Sequence, residues 1–233
     1  MHTLYPLFNP SAIAIIGASE VPGKAAERRT RSLIEGGFNG NIYLINPKRK
    51  ALFGRKAYPS VLDAPGPIDL AMIVIPPRFI PQAVADSVKM GAKGIVIITA
   101  GMGETGAEGK RLETEALGIA EDGGAKIVGP NCSGLFSAAV RMNLLGIPDI
   151  PQGPLAIIAQ SGNIIDSLTH YAQMKKVGLR TIISAGNAIG VAFHEYIDYL
   201  NQDPDTRVIM MYMEGITAGD RSVSYTHLRA HET

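Results

Sequence analysis

Three stretches of this chain place glycine and small polar residues where an apolar run stops, an arrangement that lets backbone approach an anion. The first is Gly17-Ala18-Ser19, directly after Ala12–Ile16, with Gly23-Lys24 following where a helical pattern begins. Its spacing is not G-x-G-x-x-G. A dinucleotide site also wants an acidic residue roughly 20 positions on, to accept from the ribose hydroxyls. That place is taken by Asn46-Pro47-Lys48-Arg49-Lys50. Three cations in place of a carboxylate favour a ligand with an additional phosphate, either NADP or the 3′-phosphoadenosine of coenzyme A. The plain alternative is a solvated loop.

The second stretch is Gln160-Ser161-Gly162. A hydrolase elbow would read G-x-S-x-G, but the flanking residues are Ala159 and Asn163. An anion cradle and a simple helix N-cap at Ser161 both fit. The third, Gly129-Pro130-Asn131-Cys132-Ser133-Gly134, follows Lys126–Val128 and belongs at a carboxyl edge, where α/β ligands bind. Its lone Cys132 reads as a buried thiol rather than a nucleophile. Residues 103–111 look like a P-loop but carry Glu104 where glycine is needed and Arg111 where Ser or Thr is needed. His170 and His194 have no Cys, His or carboxylate cluster at metal spacing, so no metal site is expected. Glu214 ends the last apolar run, placed either to orient a histidine or to face solvent.

These residues need strand ends and helix starts to hold them. Strands are expected at Ala12–Ile16, 42–45, 70–75, 94–99 and Lys126–Val128. Helices are expected over residues 23–35, around Ile80, Val84 and Val88, and from a Thr105/Glu108 capping box to about Asp122. Strands that are apolar throughout imply burial on both faces, and helices between them imply parallel crossovers. After the Pro/Gly-rich stretch 146–154 a second series follows. It has strands at 155–159, 181–184 and Val208–Tyr212, with helices at 163–176 and 191–200. Three strands are few, so this second unit is expected to be incomplete.

Composition narrows the function. There are 22 Lys+Arg against 21 Asp+Glu in 233 residues, and 18% of residues are charged, a near-neutral balance that argues against a nucleic-acid binder. One cysteine forms no intrachain disulfide, and the apolar runs stop well short of the roughly 18 residues that span a bilayer. No signal peptide is visible, so a cytoplasmic protein without membrane or nucleic-acid partners is expected. Residues 222–233 continue no apolar pattern and resemble translated adapter read-through; they are expected to be foreign, with the native sequence stopping near Arg221 and the gene continuing beyond.

The ordered motifs at residues 13–19, 43–48, 95–101, 128–132, 157–163, 184–187 and 213–216 resemble the NDP-forming acyl-CoA synthetases, the ADP-forming acetate–CoA ligases related to the succinyl-CoA synthetase α subunit. The resemblance implies an α/β chain with a Rossmann-like CoA-binding domain at 1–150 and an incomplete flavodoxin-like domain at 151–221. It implies interconversion of acyl-CoA, ADP and phosphate with acid, CoA and ATP through an acyl phosphate and a phosphohistidine. Gly17, Ala18 and Ser19 would meet the CoA phosphates, with Asn46, Pro47 and Lys48 at its adenosine end. Ile75-Pro76 and Thr99-Ala100-Gly101 would line the pantetheine path. Ser161, Gly162 and Asn163 would receive the phosphohistidine, which Glu214 would orient. No histidine here matches that phosphohistidine. ATP, ADP and Mg would bind through an ATP-grasp subunit or domain outside this chain. The chain departs from the family at Ile189-Gly190-Val191-Ala192, where acidic residues are frequent, and at Gly162-Asn163, where Gly-Ala is usual. The alternatives are a non-catalytic CoA-binding or regulatory module and an NADP-dependent oxidoreductase.

Overall fold

The structure, a computed structural model, describes residues 2–215, so the segment expected to be foreign lies outside the described residues. A short helix α1 (Tyr5–Phe8) precedes β1 (Ala12–Ile16), α2 (Ala25–Glu35) and β2 (Asn41–Ile45). Next come the short strands β3 (Ala51–Leu52) and β4 (Arg55–Tyr58), then β5 (Leu70–Ile73), α3 (Ile80–Lys89), β6 (Gly94–Ile97), α4 (Ala107–Asp122) and β7 (Lys126–Val128). The seven strands form one sheet in the order β3-β4-β2-β1-β5-β6-β7, parallel apart from the β3–β4 hairpin.

The second sheet is built from β8 (Leu135–Ser137), β9 (Met142–Asn143), β10 (Gln152–Ala159), β11 (Leu179–Ser184) and β12 (Val208–Tyr212), with α5 (Gly162–Lys175) and α6 (Phe193–Asn201) between them. Its order is β12-β10-β11-β8-β9. The expectation of three strands is therefore corrected to five. The parallel trio β12-β10-β11 is extended by β8 and β9, which pair antiparallel and come from before residue 150. The capping-box expectation also fails. The N-cap of α4 is Gly106 at φ +115°, with no side-chain cap, and Thr105 donates its hydroxyl to Met102 O at 2.8 Å instead.

Alternate residues of the central strands go to opposite faces. Ala14, Ile16, Ala71, Ile73, Ile95 and Ile97 pack under α3 and α4. Ile13, Ile15, Leu70, Met72 and Val96 point the other way, into a core they share with Ile158 and Ile183 of the second sheet and Tyr196 and Leu200 of α6. One apolar cluster thus runs through both sheets, and α5 covers the far side of the second. Fully burying each such side chain stabilises the fold by about 1.5–3 kcal/mol, so the two sheets are held together by the same force that forms each of them.

Candidate functional site

In an open α/β sheet, ligands gather at the carboxyl edge where chain connections leave a strand in opposite directions. The first sheet has this switch between β1 and β5, since β1 is flanked by β2 on one side and β5 on the other. Gly17 stands there at φ +92°, and a Cβ on it would lie 2.3 Å from Val74 O, so no other residue fits without moving β5. The N–H groups of Gly17 and Ala18 both donate to Ile45 O, at 3.0 and 3.2 Å. Asn46 closes the turn with its side chain, donating from Nδ2 to Ala18 O at 2.8 Å and accepting from Lys48 N–H at 2.8 Å. Pro47, Lys48, Arg49 and Lys50 are exposed, and none of the three cations forms an ion pair among the described residues.

The neighbouring strand ends continue this edge. Thr99 donates from its hydroxyl to Ile75 O at 2.8 Å, and Thr99 O accepts from Asn131 N–H at 3.0 Å. Gly101, at φ +88°, donates its N–H to Glu104 Oε1 at 2.6 Å. Ile75, Pro76, Thr99, Ala100 and Gly101 thus lie side by side after β5 and β6.

The second sheet has its own switch point, where β10 is flanked by β11 and β12. Gln160 occupies it. Its N–H donates to Tyr212 O at 3.2 Å, its Oε1 accepts from the N–H groups of Glu214 and Gly215, and its Nε2 donates to Gly215 O at 3.2 Å. The structure therefore holds the Glu214 backbone on Gln160, the residue that precedes the Ser161-Gly162-Asn163 turn, although Glu214 is more than fifty residues away in sequence. Ser161 is the N-cap of α5 but makes no side-chain cap bond. Its carbonyl accepts from Ile165 N–H at 3.2 Å, so the first amides of the helix point outward without intrahelical partners. The Glu214 side chain is exposed.

One loop touches both edges. In the segment 129–134, Asn131 bonds Thr99, Ser133 N–H donates to Ser184 Oγ at 2.8 Å, and a Cβ on Gly162 would lie 2.6 Å from Ser133 Oγ. Cys132 in this loop is buried and donates to Ile97 O at 3.3 Å, and burial pushes its thiol up to about 12. It is an inert packing group. Arg29, buried on α2, anchors the same loop through Ser133 O at 3.1 Å. Nothing in the local run Arg28-Arg29-Thr30-Arg31 separates Arg29 from its exposed neighbours. The clasp formed by Gln160 is not announced by its sequence either, although Gln160 lies inside the motif at residues 157–163. Among the described residues, no group of three or more His, Cys, Asp or Glu is arranged to hold a metal, and no helix is long and apolar enough to cross a membrane.

Residues 11–138 match the family described as CoA binding domain, and residues 152–231 the one described as Succinyl-CoA ligase like flavodoxin domain. The chain is 38% identical over 224 residues to the acetate–CoA ligase (ADP-forming) I subunit alpha of Pyrococcus furiosus, covering 94% of this chain and 48% of that one. It is 35% identical over 217 residues to the 4-hydroxybutyrate–CoA ligase (ADP-forming) of Nitrosopumilus maritimus, covering 92% of this chain and 31% of that one. Among solved structures, the dinucleotide-forming acetyl-coenzyme A synthetase 1 of Ca. Korarchaeum cryptofilum, in complex with phosphate and ADP, aligns with a TM-score of 0.91. That alignment has 37% identity and covers 95% of this chain and 48% of that one. The chain thus spans half or less of each of these relatives.

Proposed function

From a chain that belongs to the CoA binding domain family and carries the α-type region of the NDP-forming acyl-CoA synthetases, we propose that the first switch point holds coenzyme A and the second receives a phosphoryl-bearing imidazole. The observation that carries this reading is the loop 129–134, which touches Thr99 on one edge and Ser184 and Gly162 on the other. A thioester arm laid along the first edge therefore ends beside the second. The oxidoreductase alternative loses its ground with the match to a CoA-binding family.

The residues fit coenzyme A. Lys48, Arg49 and Lys50 are free to offset a 3′-phosphate, and the Asn46 clasp fixes where that loop starts. Gly17 and Ala18 have already donated their N–H groups, so they shape the turn, and the pyrophosphate falls to Ser19 and the N-terminus of α2. Ile75, Pro76 and Thr99 to Gly101 flank the pantetheine arm. When bound, coenzyme A supplies the thiol that carries the acyl group. At the second edge, the outward amides after Ser161 stabilise a phosphoryl group, while the Glu214 carboxylate accepts an imidazole N–H and fixes the tautomer. The proposed reaction is acyl-CoA, ADP and phosphate to acid, CoA and ATP, with ATP and Mg on an ATP-grasp subunit or domain, in the cytoplasm.

Replacing Lys48 by Glu tests the CoA assignment. A charge-assisted contact is worth about 1.5–3 kcal/mol, so CoA should bind about tenfold or more weakly, while dephospho-CoA should change by about twofold. Equal weakening of both removes the 3′-phosphate assignment. A second reading, a CoA-binding module without catalysis, is favoured by the apolar Ile189-Gly190-Val191, where Val191 is buried and Gly190 lies against Ile127. ATP formation from acyl-CoA, ADP and phosphate by the complete coding sequence supports the ligase; CoA binding without it supports the module.

A further inference from the structure

The turn Ala185-Gly186-Asn187, which follows Ser184 at the end of β11, has no role in the reading above, yet its backbone packs directly on the loop that leaves β7. Gly186 sits at φ +57°, and a Cβ there would lie 2.2 Å from Pro130 O, so backbone packs on backbone with no side chain between. Asn187 N–H donates to Pro130 O at 2.9 Å, which fixes the position of its side chain. That side chain then crosses into the first domain. Its Nδ2 donates to Glu104 Oε2 at 2.9 Å and to Glu113 Oε1 at 2.7 Å, using both amide hydrogens. Glu113 is buried, and its other oxygen accepts from Lys110 Nζ at 3.2 Å. The second oxygen of Glu104 is the acceptor for Gly101 N–H. Burial works against the charge of Glu104, but the donors from Asn187 and the loop backbone outweigh it and hold the carboxyl below its ordinary value.

The loop 99–104 is therefore gripped twice from the same turn. One grip runs from Asn187 through Glu104 to Gly101. The other runs from Pro130, which accepts from Asn187, through its neighbour Asn131 to Thr99 O. We propose that Asn187 is a positioning residue for the pantetheine arm, a clasp through which the second domain sets the conformation of residues 99–104. This deepens the CoA reading and rests on it. The adenosine end, at Asn46 to Lys50, has no bond to this clasp, so the two ends of the ligand should respond differently.

The test is calorimetric titration of the full chain and its variants with coenzyme A and with adenosine 3′,5′-bisphosphate, which lacks the pantetheine arm. Asn187→Ala should weaken CoA about tenfold, within the usual range of coupling between sites, and change the bisphosphate by less than about twofold. Glu104→Gln keeps the shape of the loop but turns an NH2 toward the Asn187 amide, donor against donor, and should give the same split. It decides the matter if Asn187→Ala does not fold. Equal loss for both ligands would make Asn187 mere domain glue and overturn the inference, as would unchanged CoA affinity in the folded variants. A parent chain that binds neither ligand would instead defeat the CoA reading, and this inference with it.

Discussion

The two switch points do the same geometric task with different materials. At the first, Gly17 and Ala18 are held by N–H bonds to Ile45 O and by the approach of Val74, so backbone defines the site, with Asn46 as its one side-chain clasp. At the second, the side chain of Gln160 makes three of the bonds that hold residues 214 and 215 against the turn. A backbone-built site tolerates many side chains but no Cβ where chains touch. A side-chain-built site tolerates a Cβ but fails when one functional group is removed.

This contrast is broken or sharpened most strongly by glycine replacement. Gly17→Val forces a β-branched residue to a positive φ and into Val74 O, and should cost about 3 kcal/mol or more, on the order of 10 °C in Tm by thermal melting. Gly162→Ala meets only the Ser133 hydroxyl, which can rotate away, and should cost less than about 1 kcal/mol. Equal losses would erase the distinction. Next in size is Gln160→Leu, which keeps the volume but removes every side-chain bond to residues 214 and 215. About 1–2 kcal/mol should be lost, with faster amide hydrogen exchange at Glu214 and Gly215 and no change at Gly17. Slow exchange persisting at Glu214 would show that Gln160 is not the clasp.

The smallest effect concerns charge at the far end of the second sheet. Asp203 accepts from Arg180 at 2.8 and 2.9 Å and from the Thr206 hydroxyl at 2.7 Å. Burial raises its pKa, but these donors together prevail and hold it below the usual carboxylate value. A depressed folded pKa means that its contribution is present above the unfolded value of about 3.9 and is lost as pH falls through the folded one. Asp203→Asn should therefore lower stability by less than about 1 kcal/mol at pH 7, and the gap to the parent should close in acid below about pH 4. A gap that widens in acid would reverse the sign.

Much of this architecture was legible in the sequence because continuous apolar runs fix strands wherever both faces are buried. Ala12–Ile16 and Lys126–Val128 have the bounds expected from the pattern, and so does Val208–Tyr212, although Val208, Met210 and Tyr212 are exposed and the expectation of burial on both faces fails for that strand. The short strands β3, β4, β8 and β9 did not, because Ala51-Leu52 or Met142-Asn143 is too brief to show a period and Arg55-Lys56 looks solvated. Strand-end positions such as Gly17 and Ser161 were readable from small residues after apolar ones. The clasps were not, because the partners of Asn187, Glu104 and Glu113, lie 83 and 74 residues away and nothing local announces them. Glu104 was noticed only as the residue that spoils a P-loop.

The pairing of β8 with β11, Ser137 opposite Thr181 and Leu135 opposite Ile183, bears on how such a gene can be cut and rejoined. A fragment ending at residue 150 would carry β8 and β9 away from the sheet that completes their hydrogen bonds, leaving a bare ladder to seek another copy. Recombination that preserved both halves would have to break the chain near residues 129–134, where the path passes from one sheet to the other. Yet that stretch is also where Asn131 and Ser133 join the two edges. The seam that would make the halves separable modules is the same one that makes them a single working part, so the pair is expected to be inherited, fused and transplanted together.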